Sequence, residues 1–371
     1  MCTSLLYTDK NGNNYLGRTL ELDVDETYVI TYVPKGQEFS SDVPGHDATT
    51  YTAKHPFLAV TAPARMPTAD APLSANDLKV VEGLNLAGVS VSLLAYPTAG
   101  GVAEAAATTN ALLEATDIGS WVLANFGTVA EVKEALRQQQ VNLTRIALVG
   151  DLPFPFHIVV HDASGASIVV EWQNGTETVH DNPVGVMTNG PDFQWHLTNL
   201  SNWTHLTNVD VSSSTFGSLE VKQPDSGIAT AALPGSNTSV GRFIRALFYA
   251  KYTEKAADAN GGRLALARIM DNFDRPRGAT IDPKTGAEGM SFQGQSRGDE
   301  DAAPTEYTCW TNLSDLSESR FLLRTYDAFG YTSFDLAKLA EHDTVMITLT
   351  SKLDPLGGDA TAAMMPVGAA A

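Results

Sequence analysis

Residues 1–23 read MCTSLLYTDKNGNNYLGRTLELD and place one of the chain's two cysteines at position 2. Chain ends tend to fray, so a thiol there contributes little to packing. Its reactivity is the usual reason for a cysteine to stand where it does. Position 2 allows something that no interior position does. If Met1 is removed, Cys2 becomes the amino terminus. An α-amine titrates at about 7.7–8.0 and a free thiol at about 8.5. The amine can therefore take the thiol proton near neutral pH, directly or through a water, and one residue holds both nucleophile and base. The alternative is a cysteine without a role, and Cys2 alone does not separate the two.

The rest of the stretch bears on that choice. A thiol nucleophile works best beside a cation that favours the thiolate. It also needs a carboxylate to orient the amine, and donors for the oxyanion of a tetrahedral intermediate. YLGRTLELD supplies Arg18 and Glu21 one short strand downstream. Antiparallel pairing after a turn at Gly12–Asn13 predicts that both return beside Cys2. Taken in isolation, RTLE reads equally as a surface charge cluster.

Bulk composition narrows the classes. The 371 residues are 43% hydrophobic and 18% charged, which describes a globular chain. A formal charge of −19 argues against nucleic acid, whose phosphates need clustered Lys and Arg. It argues equally against an anionic membrane surface. Cys2 and Cys309 lack the CxxC or Cys/His spacing of a zinc site, so no metal or other cofactor is expected. No apolar run is long enough to span a bilayer. Location turns on Met1: periplasmic if it replaces a removed signal peptide, cytoplasmic if it is the native initiator.

Along the chain, TYVITYVP (27–34) and GVSVSLLAY (88–96) alternate as strands, the second with Val89, Val91 and Leu93 on one face and Ser90 and Ser92 on the other. Residues 39–72 read as mobile loops around a short strand, FLAVTA. A helix is predicted over 112–126. TVAEVKEALRQQ (128–139) opens with a capping box, Thr128 answered by Glu131. Residues 157–175 and TETVH form a meander with turns at 163–165 and 174–175. Residues 201–236 are a polar excursion. Helices follow over 239–256 and 261–273, and strands over 319–336 and 343–351. There is no repeat, no βαβ alternation and no dividing linker. The order favours one α+β domain over 2–371 with antiparallel sheets, helices outside, and a loose tail from about 357.

The opening stretch resembles the choloylglycine hydrolase family, which includes penicillin V acylases and bile salt hydrolases, N-terminal-nucleophile enzymes of αββα sandwich fold. The likeness continues in order through EGLNLAGVSVSLLAYP, FGTVAEVKEALR, GASIVVEW, GVMTNGPDFQWHLTNLSNW, LPGSNTSVGRFIRA and PTEYTCWTNL with RTYD. GVMTNGPDFQWHLTNLSNW follows the family's T-N-x-P-x-F-x-x-H-x-x-N-L segment closely. The resemblance implies that Cys2 is the nucleophile, Arg18 the arginine beside it and Arg242 a second arginine that orders the network. It implies that the Asn189 side chain donates to the oxyanion, with the backbone N–H of Ala95 as second donor. Glu21 stands where the family usually has Asp to hold the α-amine. That is one methylene longer, so either the strand shifts or Asp23 assists. Ala95 replaces a larger pocket residue, and Tyr96 next to it is expected to line the substrate site. His157, His161, His196, Trp172, Trp195 and Cys309 read as structural, and Arg245 as a helix-face ion pair.

The resemblance implies hydrolysis of linear amides with a hydrophobic acyl part. A penicillin V acylase-like activity stands first, extending to N-acyl homoserine lactones, with bile salt hydrolysis second. A non-catalytic binding protein on the same scaffold is the alternative from another class. The resemblance also implies a homotetramer.

Overall fold

The computed structural model describes residues 1–23, 28–65, 68, 70–96, 111–143, 145–146, 152–173, 175–281, 305–353 and 358–367. β1 (Cys2–Thr8) and β2 (Asn14–Leu22) form the hairpin that the opening stretch predicts. Gly12 takes φ 84° in the turn, a left-handed conformation that glycine adopts readily. The Asp9 carboxylate closes the turn by accepting from the N–H groups of Asn11 and Asn13. The register sets Cys2 opposite Leu20 and Ser4 opposite Arg18.

β2 is buried over its whole length because it is an interior strand. The seven-stranded sheet runs Val186–Met187, β1, β2, Tyr307–Asp315, Arg320–Thr325, Thr332–Asp335, Gly358–Asp359. A nine-stranded sheet runs Thr176–Asp181, Ser167–Gln173, Phe156–His161, Ser90–Ala95, Leu78–Asn85, Phe57–Pro63, Val29–Val33, Met346–Leu349, Met365–Pro366. Neighbours in both are antiparallel, except that Thr332–Asp335 runs parallel to Gly358–Asp359. Leu20 from one sheet and Leu58, Val60, Leu84, Leu94 and Val159 from the other meet in a shared core.

Helices cover both outer faces. α1 (Ile118–Asn125) and α2 (Val129–Leu136) lie on the nine-stranded sheet, packing Trp121, Val122 and Val132 with Val80, Val89 and Val91. The predicted capping box is present. Thr128 Oγ1 accepts from Glu131 N–H at 3.2 Å, and Glu131 Oε2 accepts from Thr128 N–H at 3.1 Å. α3 (Phe193–Asn199) precedes α4 (Ser239–Tyr252) and α5 (Ala259–Met270), which cover the seven-stranded sheet. Gly17 of β2 lets α5 approach, since a Cβ there would stand 2.5 Å from Met270 Sδ. The architecture is the expected α+β sandwich, helices–sheet–sheet–helices.

Several local expectations are corrected. The helix predicted over 112–126 begins only at Ile118, because Leu113–Glu114 pair with Val141–Asn142 and Ala115–Asp117 form a 3₁₀ turn. The loops expected over 39–72 include a hairpin, Glu38–Ser41 with Thr49–Thr52. The end of the chain, expected to be loose, pairs at Gly358–Asp359 and again at Met365–Pro366. The excursion over 201–236 holds an exposed hairpin, Ser213–Phe216 with Leu219–Lys222. The turn expected at 174–175 lies partly outside the described residues. Both faces of the Ser90–Ala95 strand are buried. Val91, with Val89 just before the strand, faces the helices while Ser90 and Ser92 turn toward the opposite sheet.

Candidate active site

β1 carries Cys2 into the space between the sheets, where the residue is 2% exposed. Arg18, on the same face of β2, is fully buried with it. Its Nη2 lies 3.4 Å from Cys2 Sγ and donates to Leu93 O of the facing sheet at 2.6 Å. The guanidinium carbon sits 4.4 Å from the centre of the Trp310 ring. A cation over a desolvated ring gains on the order of 2 kcal/mol. Its counter-ion is Glu82, on the Leu78–Asn85 strand, with Oε2 3.7 Å from Arg18 Nε and both side chains sealed from solvent. The Ser92 hydroxyl, directly across the strand pair, is the other polar group that favours the charged carboxylate, without a close hydrogen bond to it. Burying an ionised carboxylate costs several kcal/mol, and one cation at that distance with a weak contact from Ser92 does not offset it. Burial accordingly pushes the Glu82 carboxyl up to about 8, with Arg18 opposing the rise.

Asn189 approaches Cys2 from the segment between Val186–Met187 and α3. Its Oδ1 accepts from Cys2 N–H at 2.8 Å and from Arg242 Nη2 at 2.6 Å. Two donors on one atom fix the orientation of the amide, so Nδ2 faces Ala95 and donates to its carbonyl at 2.6 Å. An amide nitrogen carries two hydrogens, which leaves one for another acceptor. Arg242, in the first turn of α4, also donates to Cys2 O, to Thr3 Oγ1 at 2.8 Å and to Asn237 O at 3.0 Å. Arg245, expected to form an ion pair, instead donates to Pro234 O and Ser236 O, so it ties the loop before α4 to the helix.

The amino end continues the β1–β2 ladder. Glu21 N–H donates to Met1 O at 2.8 Å, and the amino group of Met1 donates to Glu21 O. That amino group also lies 3.5 Å from Glu306, which in turn pairs with Arg275 at 2.7 Å. The Glu21 carboxylate is buried; Thr308 Oγ1 is 3.5 Å from Oε1, and Oε2 has no partner among the described residues.

The remaining sequence candidates fall around this centre. Tyr96, expected to line the substrate site, is 3% exposed and stacks on His157 with ring centres 5.1 Å apart. His161 is buried beside Ser4, 3.4 Å away, and burial pushes it down to about 3, so it is neutral. His196 donates to Asn189 O at 3.0 Å. Trp172 is core, but Trp195 is 41% exposed at the start of α3, contrary to expectation. Burial pushes the Cys309 thiol up to about 12, which suits an unreactive residue. Glu82, Trp310, Glu171 and Glu306 were not anticipated. A single acidic residue inside the apolar run KVVEGL was the available signal for Glu82.

The profile of the linear amide C–N hydrolases, choloylglycine hydrolase family, matches residues 2–346. A conjugated bile acid hydrolase of Lactobacillus acidophilus is 33% identical over 359 residues, covering 94% of this chain and all of that protein. A penicillin V acylase of Pectobacterium atrosepticum is 29% identical over 133 residues, 35% of this chain and 30% of its own. The solved C2A mutant of a conjugated bile acid hydrolase from Clostridium perfringens superposes with a TM-score of 0.76 at 23% identity, over 96% of this chain and 98% of that one. The chain belongs to the choloylglycine hydrolase family and is a hydrolase acting on linear amide C–N bonds.

The buried Glu82 makes stability depend on pH. An ordinary glutamate releases its proton at about 4.3, whereas this one holds it to about 8. The folded protein therefore binds a proton that the unfolded chain has lost, and stability falls as pH rises through that window. The melting temperature of the unmodified protein, relative to Glu82→Gln, is expected to fall between about pH 5 and about pH 8.5. Parallel melting curves for the two proteins across that range would contradict the assignment.

Proposed function

We propose that the chain hydrolyses conjugated bile acids, the amides of a hydrophobic steroid acid with glycine or taurine, through Cys2 as an N-terminal nucleophile. The observation that carries the chemistry is that Asn189 and Arg18 already address the two reactive atoms of Cys2, its nitrogen and its sulfur. Sequence reasoning placed penicillin V acylase first. Relatives matched in sequence along nearly the whole chain include bile acid hydrolases, while a penicillin V acylase matches about a third of it, and this supports placing bile acid amides first.

With Met1 removed, the Cys2 nitrogen becomes an amine and keeps Asn189 Oδ1 within reach. The unpartnered Glu21 carboxylate oxygen is the proposed anchor for that amine once protonated. The amine takes the Sγ proton, and the thiolate beside Arg18 attacks the amide carbonyl. The remaining Asn189 Nδ2–H and the Ala95 N–H meet the oxyanion. As the tetrahedral intermediate collapses, the Cys2 ammonium gives its proton to the leaving nitrogen, and glycine or taurine departs. Water, deprotonated by the same amine, then attacks the thioester; the acid leaves and the thiol re-forms. No other base is needed, which agrees with His196 being occupied by Asn189 O.

We also propose a homotetramer. The support is the exposed hairpin whose Phe216 and Leu219 stand largely in solvent; scattered apolar residues are ordinary, but a clustered apolar tip marks an interface. Sedimentation is expected to give four times the chain mass, and Phe216→Asp with Leu219→Asp a smaller species. A monomeric unmodified protein would rule this out.

Cys2→Ser is expected to lose most turnover. Asn189→Ala is expected to fold normally and slow by about 10²–10³-fold, the usual cost of an oxyanion donor. In a panel of glycocholate, penicillin V and an acyl homoserine lactone, glycocholate should give the highest kcat/KM. Penicillin V in first place would overturn the substrate and leave the mechanism; near-normal turnover by Cys2→Ser would overturn the mechanism.

A further inference from the structure

We propose that His157 and Glu171 are a positioning pair for Asn189, holding its side-chain amide at the reach that amide hydrolysis requires; this rests on the Cys2 reading above. His157 lies on the Phe156–His161 strand and Glu171 on its neighbour, Ser167–Gln173, and neither has more than 1% exposure. His157 Nε2 is 3.0 Å from Thr188 O. A carbonyl only accepts, so Nε2 carries the hydrogen and donates. The other ring nitrogen, Nδ1, is 3.0 Å from Glu171 Oε1. Both Glu171 oxygens accept from Phe193 N–H at 3.1 Å, at the start of α3. On the far side, His196 of α3 donates to Asn189 O and stacks on Phe243 of α4, ring centres 4.4 Å apart.

Two consecutive carbonyls, at 188 and 189, are thus each held by a buried imidazole. Glu171 links the front of the segment, through His157, to its end at Phe193. The same His157 ring stacks on Tyr96, the residue after Ala95, and Ala95 O is where the Asn189 amide is tethered. One side chain therefore braces both sides of the proposed oxyanion site.

A buried imidazole–carboxylate pair is an expensive way to fill a core, because apolar residues of similar volume are often neutral or stabilising in its place. What the pair adds is placement. A displacement of about 1 Å at a reacting group can cost on the order of 10²-fold in rate. Neither residue touches the thiol or its substrate in the proposed reaction; both act through the backbone of Thr188, Asn189 and Phe193.

The test uses Glu171→Leu, Glu171→Gln and His157→Phe, assayed with glycocholate, or with penicillin V if that is the faster substrate, together with the rate at which iodoacetamide alkylates Cys2. Glu171→Leu and His157→Phe are expected to lose about ten- to a hundredfold in kcat with KM nearly unchanged. Glu171→Gln can still accept from Phe193 N–H and donate to His157 Nδ1, so it should keep most of the turnover. Cys2 alkylation needs no oxyanion donor and should proceed at the normal rate in all three. In an Asn189→Ala background the Leu and Phe changes should cost little more, because the group they position is gone.

Full kcat in Glu171→Leu or His157→Phe, or an equal penalty with and without Asn189, would overturn the proposal. So would no recovery in Glu171→Gln. His157→Phe keeps an aromatic ring against Tyr96, so it decides the matter if Glu171→Leu fails to fold. Turnover that survives complete Cys2 alkylation is a different result, and it would refute the nucleophile itself.

Discussion

The site is organised around a buried cation. Arg18 is sealed between two sheets and touches Cys2 Sγ, a carbonyl of the opposite sheet, the face of Trp310 and, at longer range, Glu82. Isolated burial of a guanidinium would cost several kcal/mol. The cost is spread over hydrogen bonds, a ring face and a carboxyl that burial holds largely protonated near neutral pH. This has a consequence for the sulfur. With Glu82 mostly neutral, the positive charge beside Cys2 is not cancelled, and Arg18 remains available to a thiolate. Two sheets that slid apart would lose this arrangement first, because every partner of Arg18 except the thiol and Trp310 belongs to the facing sheet.

The second constraint is register. A strand slip of one residue turns every side chain to the other face. The register that sets Cys2 against Leu20 puts its sulfur inside the sandwich with Arg18, and leaves Met1 paired with the backbone of Glu21 at the sheet's margin. The nitrogen that Met1 removal would free lies at that boundary, held by Asn189 Oδ1. Arg242 locks the position from α4 by holding Cys2 O, Thr3 Oγ1 and Asn189 Oδ1 together. The helix layer therefore contributes to the site as directly as the sheets do.

What the sequence made legible was local. The β1–β2 hairpin could be read because Gly12 and alternation dictate it, and α2 because Thr128 and Glu131 cap it within one turn. The placement of Arg18 beside Cys2 followed from the hairpin alone. Contacts between distant segments were not legible. Glu82 is far from Arg18 in sequence and reaches it only because the two sheets face each other, so the pairing could not be inferred from neighbours in sequence. The paired serines at 90 and 92 looked like one face of an ordinary half-buried strand, yet they point into a polar seam between sheets. His157 and His196, read as structural, do hold structure, but the structure they hold is the segment carrying Asn189. Trp195 shows the opposite failure: expected in the core rather than as a ligand platform, it stands at the surface.

The central claim joins one amine and one thiol on a single residue. Its most direct test is intact-mass analysis of fully active enzyme during stepwise alkylation with iodoacetamide. The account requires that the active protein lack Met1, that a single alkyl group add at Cys2 while Cys309 stays unmodified, and that turnover fall in step with that addition. Full activity in protein that retains Met1, or in protein fully alkylated at Cys2, would contradict it.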